Sequence, residues 1–240
     1  MGQNRRHGFA YDLVPKSEDA LVSPEVAVAL ARGIISGIQS SWKAERGSKY
    51  DVNTYSNVLT GEKWFARVSV HDDVPWSWFK DGLCNDHTAN EAEYIKEIIS
   101  FSTFDVPVKL GWKGVKPVMR FPFPFSLREL PEYVLSIQPD SEVKEFFVIS
   151  VPAKQPTTPG RPICRYSSIE YVHELPDGKI EWTMAAVGHP GGFVPKWLQD
   201  MNMARMICED VPSFINWARK RYLAPGDDSK SVDDAAEGQL

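Results

Sequence analysis

Two rhythms of apolar positions run along the chain, and each predicts an element. Near the C-terminus, Trp197, Met201, Ala204, Cys208, Val211, Ile215 and Ala218 recur at alternating spacings of four and three, one apolar stripe of a helix. Phe193, Leu198, Met206, Phe214 and Trp217 widen the stripe. Gly191-Gly192 gives a permissive corner before it, and Pro195 stands at the first helical turn, where proline is tolerated. The helix should reach about Tyr222, a length of roughly 40 Å. Pro212 falls inside the pattern and should kink or divide it near Asp210. So long and broad-faced a helix needs a large apolar surface to cover.

Shorter helices precede it. Ser23-Pro24 reads as N-cap and first turn, with Val26, Leu30, Ile34 and Ile38 on one face to about Trp42. Gly33 and Gly37 weaken that helix. Asp73-Val74-Pro75 opens a short helix carrying Trp76, Phe79 and Leu83, and Thr88-x-x-Glu91 has the capping-box pattern for a helix from Ala89 to about Ile98.

The two-residue rhythm predicts strands. Trp64, Ala66, Val68 and Val70 alternate with Phe65, Arg67 and Ser69. Further strands are expected at 101–108, 115–121, 133–138 and 145–151. The proline-rich run 117–131 favours an edge or extended connection. Residues 44–62 read as polar turns, and 152–162 as an exposed loop. Asp177-Gly178 is a type I′ hairpin signal that would pair Leu175 with Ile180, His173 with Trp182, Tyr171 with Met184 and Ile169 with Ala186 on one apolar face, the face for the long helix. Residues 1–20 form a polar N-terminal segment expected to be loosely ordered, 21–222 one α+β domain, and 223–240 a disordered acidic tail.

Composition narrows the classes. The 240 residues are 42% hydrophobic with eight tryptophans, enough for a sizeable core, and the net charge of −5 argues against a nucleic-acid partner. Cys84, Cys164 and Cys208 are widely spaced and odd in number, which reads as buried thiols in a reducing compartment. The first twenty residues are polar, Arg6 stands where myristoylation wants Ser or Thr, and the most apolar window, 26–38, is too short to span a bilayer. The expected location is cytoplasmic. No phosphate loop, HExxH, CxxC or GxSxG occurs, so no cofactor or metal is expected.

Gly191-Gly192-Phe193-Val194-Pro195-Lys196-Trp197-Leu198, followed by Phe214-Ile215-Asn216-Trp217, resembles the C-terminal helix of START (lipid-transfer) domains, in particular the START-like family of unknown function common in fungal proteins (DUF3074). Trp64 to His71, Asn85-Asp86-His87 with Glu91 to Ile95, and Phe125-Ser126-Leu127-Arg128-Glu129 fit the same family, over about residues 60–222. The resemblance implies a helix-grip fold (START/Bet v 1-like), a curved antiparallel sheet around the long helix with a hydrophobic ligand cavity between them. It also implies that Arg128 or Glu129 reaches inward.

The candidate ligand-binding residues are Arg128, Arg165, Tyr171, His173, Trp182, Met184, Phe193, Trp197, Met201, Ala204 and Cys208, with His173 and Tyr171 as candidate acid/base groups. Against each stands a plainer reading: His173 as a hydrogen-bonded core histidine, Arg128-Glu129 as a surface ion pair, Arg67, Arg120 and Arg165 as exposed, His87 as structural beside a cap. The favoured function is binding or transfer of a lipid, sterol or similar molecule, with transient membrane contact and one inward Arg or His fixing the head group. Gly191-Gly192 would be the hinge that admits it. The alternative is a cyclase or isomerase of the same superfold acting on a polyketide or terpenoid in secondary metabolism, and a third reading is an interaction module with a filled core. Ionisable groups with perturbed pKa values clustered deep in the cavity would favour the enzyme.

Overall fold

The computed structural model describes residues 10–45, 50–106, 110–121 and 126–223. Within them ten strands form one antiparallel sheet: β1 (Lys43–Ala44), β2 (Asn53–Leu59), β3 (Glu62–His71), β4 (Ile98–Phe104), β5 (Lys113–Met119), β6 (Arg128–Glu129), β7 (Glu132–Ile137), β8 (Glu145–Pro152), β9 (Arg165–Glu174) and β10 (Ile180–His189). Their order across the sheet is β1-β2-β3-β10-β9-β8-β7-β5-β4, with β6 beside β5. The helices are α1 (Pro24–Ile35), α2 (Ile38–Ser41), α3 (Trp76–Phe79) continued by a π turn over Lys80–Cys84, α4 (His87–Tyr94) and α5 (Lys196–Tyr222). Long sheet and long final helix make the helix-grip architecture.

Alternation along each strand divides the interior in two. On one side Trp64, Ala66, Phe147, Ile149, Ile169 and Ala185 pack with α1 and the chain before it. On the other, Phe65, Val134, Phe146, Val148, Val172, Trp182 and Met184 pack with α3, the π turn and the C-terminal half of α5. Phe214 is the hub of this second core, its ring within 6 Å of Phe79, Tyr94, Trp182 and Trp217.

Several expectations change. Residues 10–20 are not a loose approach: Tyr11 and Leu13 are buried, and Lys16 bonds through its backbone to Pro152 and Lys154. α1 turns Ala27, Val28 and Ala31 inward and leaves Val26 and Leu30 exposed, because small residues let the helix lie close on the sheet. The polar stretch before β3 contains β2, joined to β3 by Thr60-Gly61, both in the left-handed region, which is the true type I′ turn of the chain. α4 begins at His87 after Asp86, so Thr88 is not its cap. α5 is continuous across Pro212, so the helix is not divided there. The acidic tail expected at 223–240 lies, from residue 224 on, outside the described residues.

The largest correction is the register of the β9–β10 hairpin. Ile180 pairs with Glu174, Trp182 with Val172, Met184 with Glu170 and Ala186 with Ser168, one residue away from the sequence expectation. Pro176 is the reason. Its fixed φ suits the second position of a type I turn from Leu175 to Gly178, closed by the Gly178 N–H on the Leu175 carbonyl at 2.9 Å. Gly178 follows at φ +84, the left-handed residue that completes a three-residue loop. A one-residue slip sends every β9 side chain to the other face. Tyr171 and His173 therefore lie on the α1 side, while Ser168, Glu170 and Val172 share a face with Trp182 and Met184.

Candidate functional site

The face under α5 is apolar except along one band. Arg67 on β3, Glu132 on β7, Ser150 on β8, and Ser168 and Glu170 on β9 all have inward parity and are all buried. Over this band the sheet and α5 do not meet. The N-terminal half of α5 stands off, with no buried side chain among those described before Ile207, and α4 closes one side. The gap is a pocket of about 360 Å³. Its walls are apolar, with Ile95, Ile98, Met119, Leu130, Met203 and Met206 among them, and its floor is His87, Glu91, Glu132, Ser150, Ser168, Glu170 and Asp210. Phe121, Arg165, His189, Pro190, Val194 and Leu198 also line it.

The floor gathers four carboxyl groups from four elements. Glu170 accepts the Trp182 indole N–H at 2.9 Å. His87 Nδ1 lies 2.8 Å from the Leu83 carbonyl, and its Nε2 lies 3.7 Å from Glu91 and 3.9 Å from Glu170. Burial pushes the Glu91 carboxyl above the usual range, opposed by His87 and reinforced by Glu170. Burial, with Glu91 nearby, raises Glu132 well above it. Asp210 is pushed up to about 8 by burial, against the pull of Arg67. Tyr166 beside them is also raised by burial. Arg67, fully buried, donates from Nε to the Ile207 carbonyl at 2.5 Å and lies 3.7 Å over the Trp182 ring, while its Nη2 has no partner. Burial lowers its pKa, against the attraction of Glu170 and Asp210. Among the described residues no group of three or more His, Cys, Asp or Glu side chains is placed to hold a metal ion.

Of the sequence candidates, one lines this pocket: Arg165, exposed at the rim. Arg128 and Glu129 are both buried just outside it. Arg128 donates to the Ser126 and Pro190 carbonyls at 2.6 and 2.7 Å and sits over the Phe121 ring, while Glu129 holds Thr158 and Arg161. Tyr171 and His173 stack on each other across the sheet, where Tyr171 donates to Glu145 at 3.0 Å and Arg32 completes the group. Trp182 and Met184 are packed core under the C-terminal half of α5. Met201, Ala204 and Cys208 border a second space of about 360 Å³ between α5 and β2–β3. Phe193 and Trp197 protrude, Trp197 being 68% exposed, because helical periodicity marks a face but not how far the sheet extends beneath it. Leu175, Tyr171 and Val211 do not face one another across a cavity. Gly191 is pressed against the Ile163 carbonyl, and Gly192 is clear of its surroundings.

Arg67, Glu132, Glu170 and Asp210 were missed as site residues. Charged side chains at inward parity inside apolar strands were the available signal for the first three. For Glu170 the mistaken register hid it.

Residues 64–218 match the family described as "Protein of unknown function (DUF3074)". Among curated proteins none matches the chain in sequence. Among solved structures, the chain is similar to human STARD10, with 12% identity, a TM-score of 0.67 and coverage of 81% of this chain and 83% of that one. It is equally similar in fold to human StAR-related lipid transfer protein 5, with 10% identity, a TM-score of 0.67 and coverage of 82% and 99%. A STAR-related lipid transfer protein from Xanthomonas axonopodis shares 12% identity, with a TM-score of 0.61 and coverage of 75% and 99%. At such identities the likeness concerns the fold alone. The match spans more than half of the sequence, and the chain belongs to this family, DUF3074, as a START-like helix-grip domain.

Proposed function

We propose that the chain binds a hydrophobic small molecule in the pocket beneath the N-terminal half of α5 and carries it between membranes or partners. The observation that supports this most directly is the pocket itself: about 360 Å³, walled by Ile, Leu and Met side chains. That size falls within the range of small-molecule sites, roughly 300–1,000 Å³. Apolar ligand surface buried there is worth ~25 cal/mol per Å² before binding costs. That two of the similar structures are StAR-related lipid transfer proteins agrees with this reading. Three unpaired thiols agree with a cytoplasmic setting. Exposed Phe193, Trp197 and Met201 at the start of α5 supply an apolar surface for transient membrane contact beside the mouth.

A second reading is favoured by the floor. Asp210, pushed up to about 8, offers one acid/base group near neutrality in the pocket, as a cyclase or isomerase would need. Tyr171 and His173 do not serve that reading, since they lie across the sheet.

Native mass spectrometry against a panel of lipids, sterols and isoprenoids tests the first reading. One ligand per chain is expected, and Met206→Trp, which fills the pocket, should abolish uptake in a protein that melts normally. A wild-type chain that takes up none of the panel, or a Met206→Trp chain that takes up as much, refutes it. Chemical conversion of a bound polyketide, lost in Asp210→Asn, would move the assignment to the enzyme.

A further inference from the structure

We propose that the acidic floor is the head-group site for a ligand bearing a primary ammonium group, so that the molecule bound is a long-chain amine. This rests on the pocket reading above and adds the head group to it.

Glu132 is the starting point. It is 4% exposed, and its side chain lines the pocket. Among the described residues no hydrogen bond or ion pair to its carboxyl is present, although buried polar groups nearly always have a partner. Asp210, reaching the same space from α5, likewise has neither. Two carboxyl groups therefore face the pocket with no hydrogen-bond or ion-pair partner among the described residues.

The rest of the floor has the same polarity. A carbonyl only accepts, so His87 Nδ1 donates to Leu83, which leaves Nε2 between the carboxyl groups of Glu91 and Glu170. The cation nearest this group, Arg67, is drawn away onto the Ile207 carbonyl and the Trp182 ring and does not line the pocket. An ammonium group carries three donors and no acceptor, the complement of such a floor. A carboxylate or phosphate head brings no donor and would meet like charge at any floor carboxyl that ionises, and an alcohol could supply one donor. A metal ion is not the occupant this arrangement suits. Above the floor, Ile98, Met119, Leu130 and Met203 offer walls for a chain, and about 360 Å³ has room for roughly a dozen water-sized groups.

Proton balance gives the binding a signature. The titratable groups around the floor are Arg67 on β3, His87, Glu91 and Tyr94 on α4, and Glu132 on β7. Tyr166 and Glu170 on β9 and Cys208 and Asp210 on α5 complete them, with Arg165 and His189 at the rim. Burial raises Glu91, Glu132 and Asp210, Asp210 to about 8, so near neutrality Asp210 carries a proton in the protein alone. An arriving ammonium takes the place of one such proton, which leaves to solvent.

The test is calorimetric titration of the full chain at pH 7 with dodecylamine, 1-dodecanol and dodecanoate, below their micelle concentrations. The amine titration is repeated in phosphate and Tris, whose heats of protonation differ. Expected are amine binding about tenfold or more tighter than the alcohol, dodecanoate the weakest, and about one proton released per amine. Glu132→Gln should bring the amine-to-alcohol ratio below about threefold, and Asp210→Asn gives the same reading should that variant fail to fold. Amine and alcohol binding alike, or dodecanoate binding tightest, overturns the head-group assignment and leaves the pocket reading standing. If none of the three chains binds, the pocket reading fails with it.

Discussion

Asp210→Asn should make the protein more stable at neutral pH and leave it nearly unchanged near pH 4. In the folded chain burial moves this carboxyl from its ordinary 3.8 to about 8. Between those two values the folded state keeps a proton that the unfolded chain has released. Stability therefore falls as pH rises through that window, by about 1.4 kcal/mol per unit for one proton. Below 3.8 both states are protonated and nothing is lost; above 8 the loss is complete. At pH 7 about three units have been crossed, a ceiling of about 4 kcal/mol. Pocket water and coupling to Glu91 and Glu170 bring the expected effect to about 2–4 kcal/mol. Asparagine keeps the shape, cannot ionise, and escapes this loss. Urea unfolding of wild type and variant at pH 4.5, 6 and 7.5 reads the difference. The other carboxyl groups are common to both chains and largely cancel. At neutral pH the gain corresponds to a melting-point rise of roughly 5–15 °C. A difference independent of pH, or a variant less stable at pH 7, would mean that Asp210 is ionised and held by Arg67, and the account of the floor as proton-loaded would be wrong.

Three further substitutions test the fold. Trp197→Ala should change stability by less than about 1 kcal/mol in chemical denaturation, because the side chain is 68% exposed; a cost of several kcal/mol would place it in a core the structure does not have. Phe214→Ala should cost ~3–5 kcal/mol by the same measurement, since the ring is fully buried among Phe79, Tyr94, Trp182 and Trp217. Gly178→Ala should cost about 1–2 kcal/mol because alanine resists φ +84, whereas a neutral result would argue for a different turn.

The elements were largely readable and their faces only partly so. β3, β7, β8 and both arms of the hairpin followed from alternation, and α5 from its spacing and the Gly-Gly-x-x-Pro start. β2 was invisible because Asn53 to Leu59 carries few apolar side chains and borrows its pairing from β3. The hairpin shows how a local misreading travels. Asp-Gly is a strong two-residue turn signal, but Pro176 before it fits a longer loop, and the one-residue difference exchanged Tyr171 and His173 for Ser168 and Glu170 on the pocket face. α5 failed in another way. Its stripe is buried from Cys208 onward and uncovered at Trp197 and Met201, because nothing in a helix's own sequence records where the opposing sheet ends.

The location of the pocket follows from the same physics that makes it costly. A sheet face with Glu132, Ser150, Ser168, Glu170 and Arg67 at inward positions closes poorly on a helix, since polar groups there must find partners as they lose water, as Arg67 and Glu170 do and the Glu132 carboxyl does not. The N-terminal half of α5 meets this band with Gln199 and Asn202 among Leu198, Met203 and Met206, with Asp210 just beyond, and stands away from it. The C-terminal half meets Trp182, Met184 and Val172 and packs. One helix is thus anchored at one end and held off at the other by a change in what the strands present, with no separate lid needed. Leucine or methionine at Glu132 and Asp210 would let the halves close alike and would raise stability, as replacing buried charge by apolar volume often does. The chain instead keeps carboxyl groups where they oppose folding. Such a cost is what a site kept for binding would carry, and it is why the proposed head-group contact is put in the floor and the chain contact in the apolar walls.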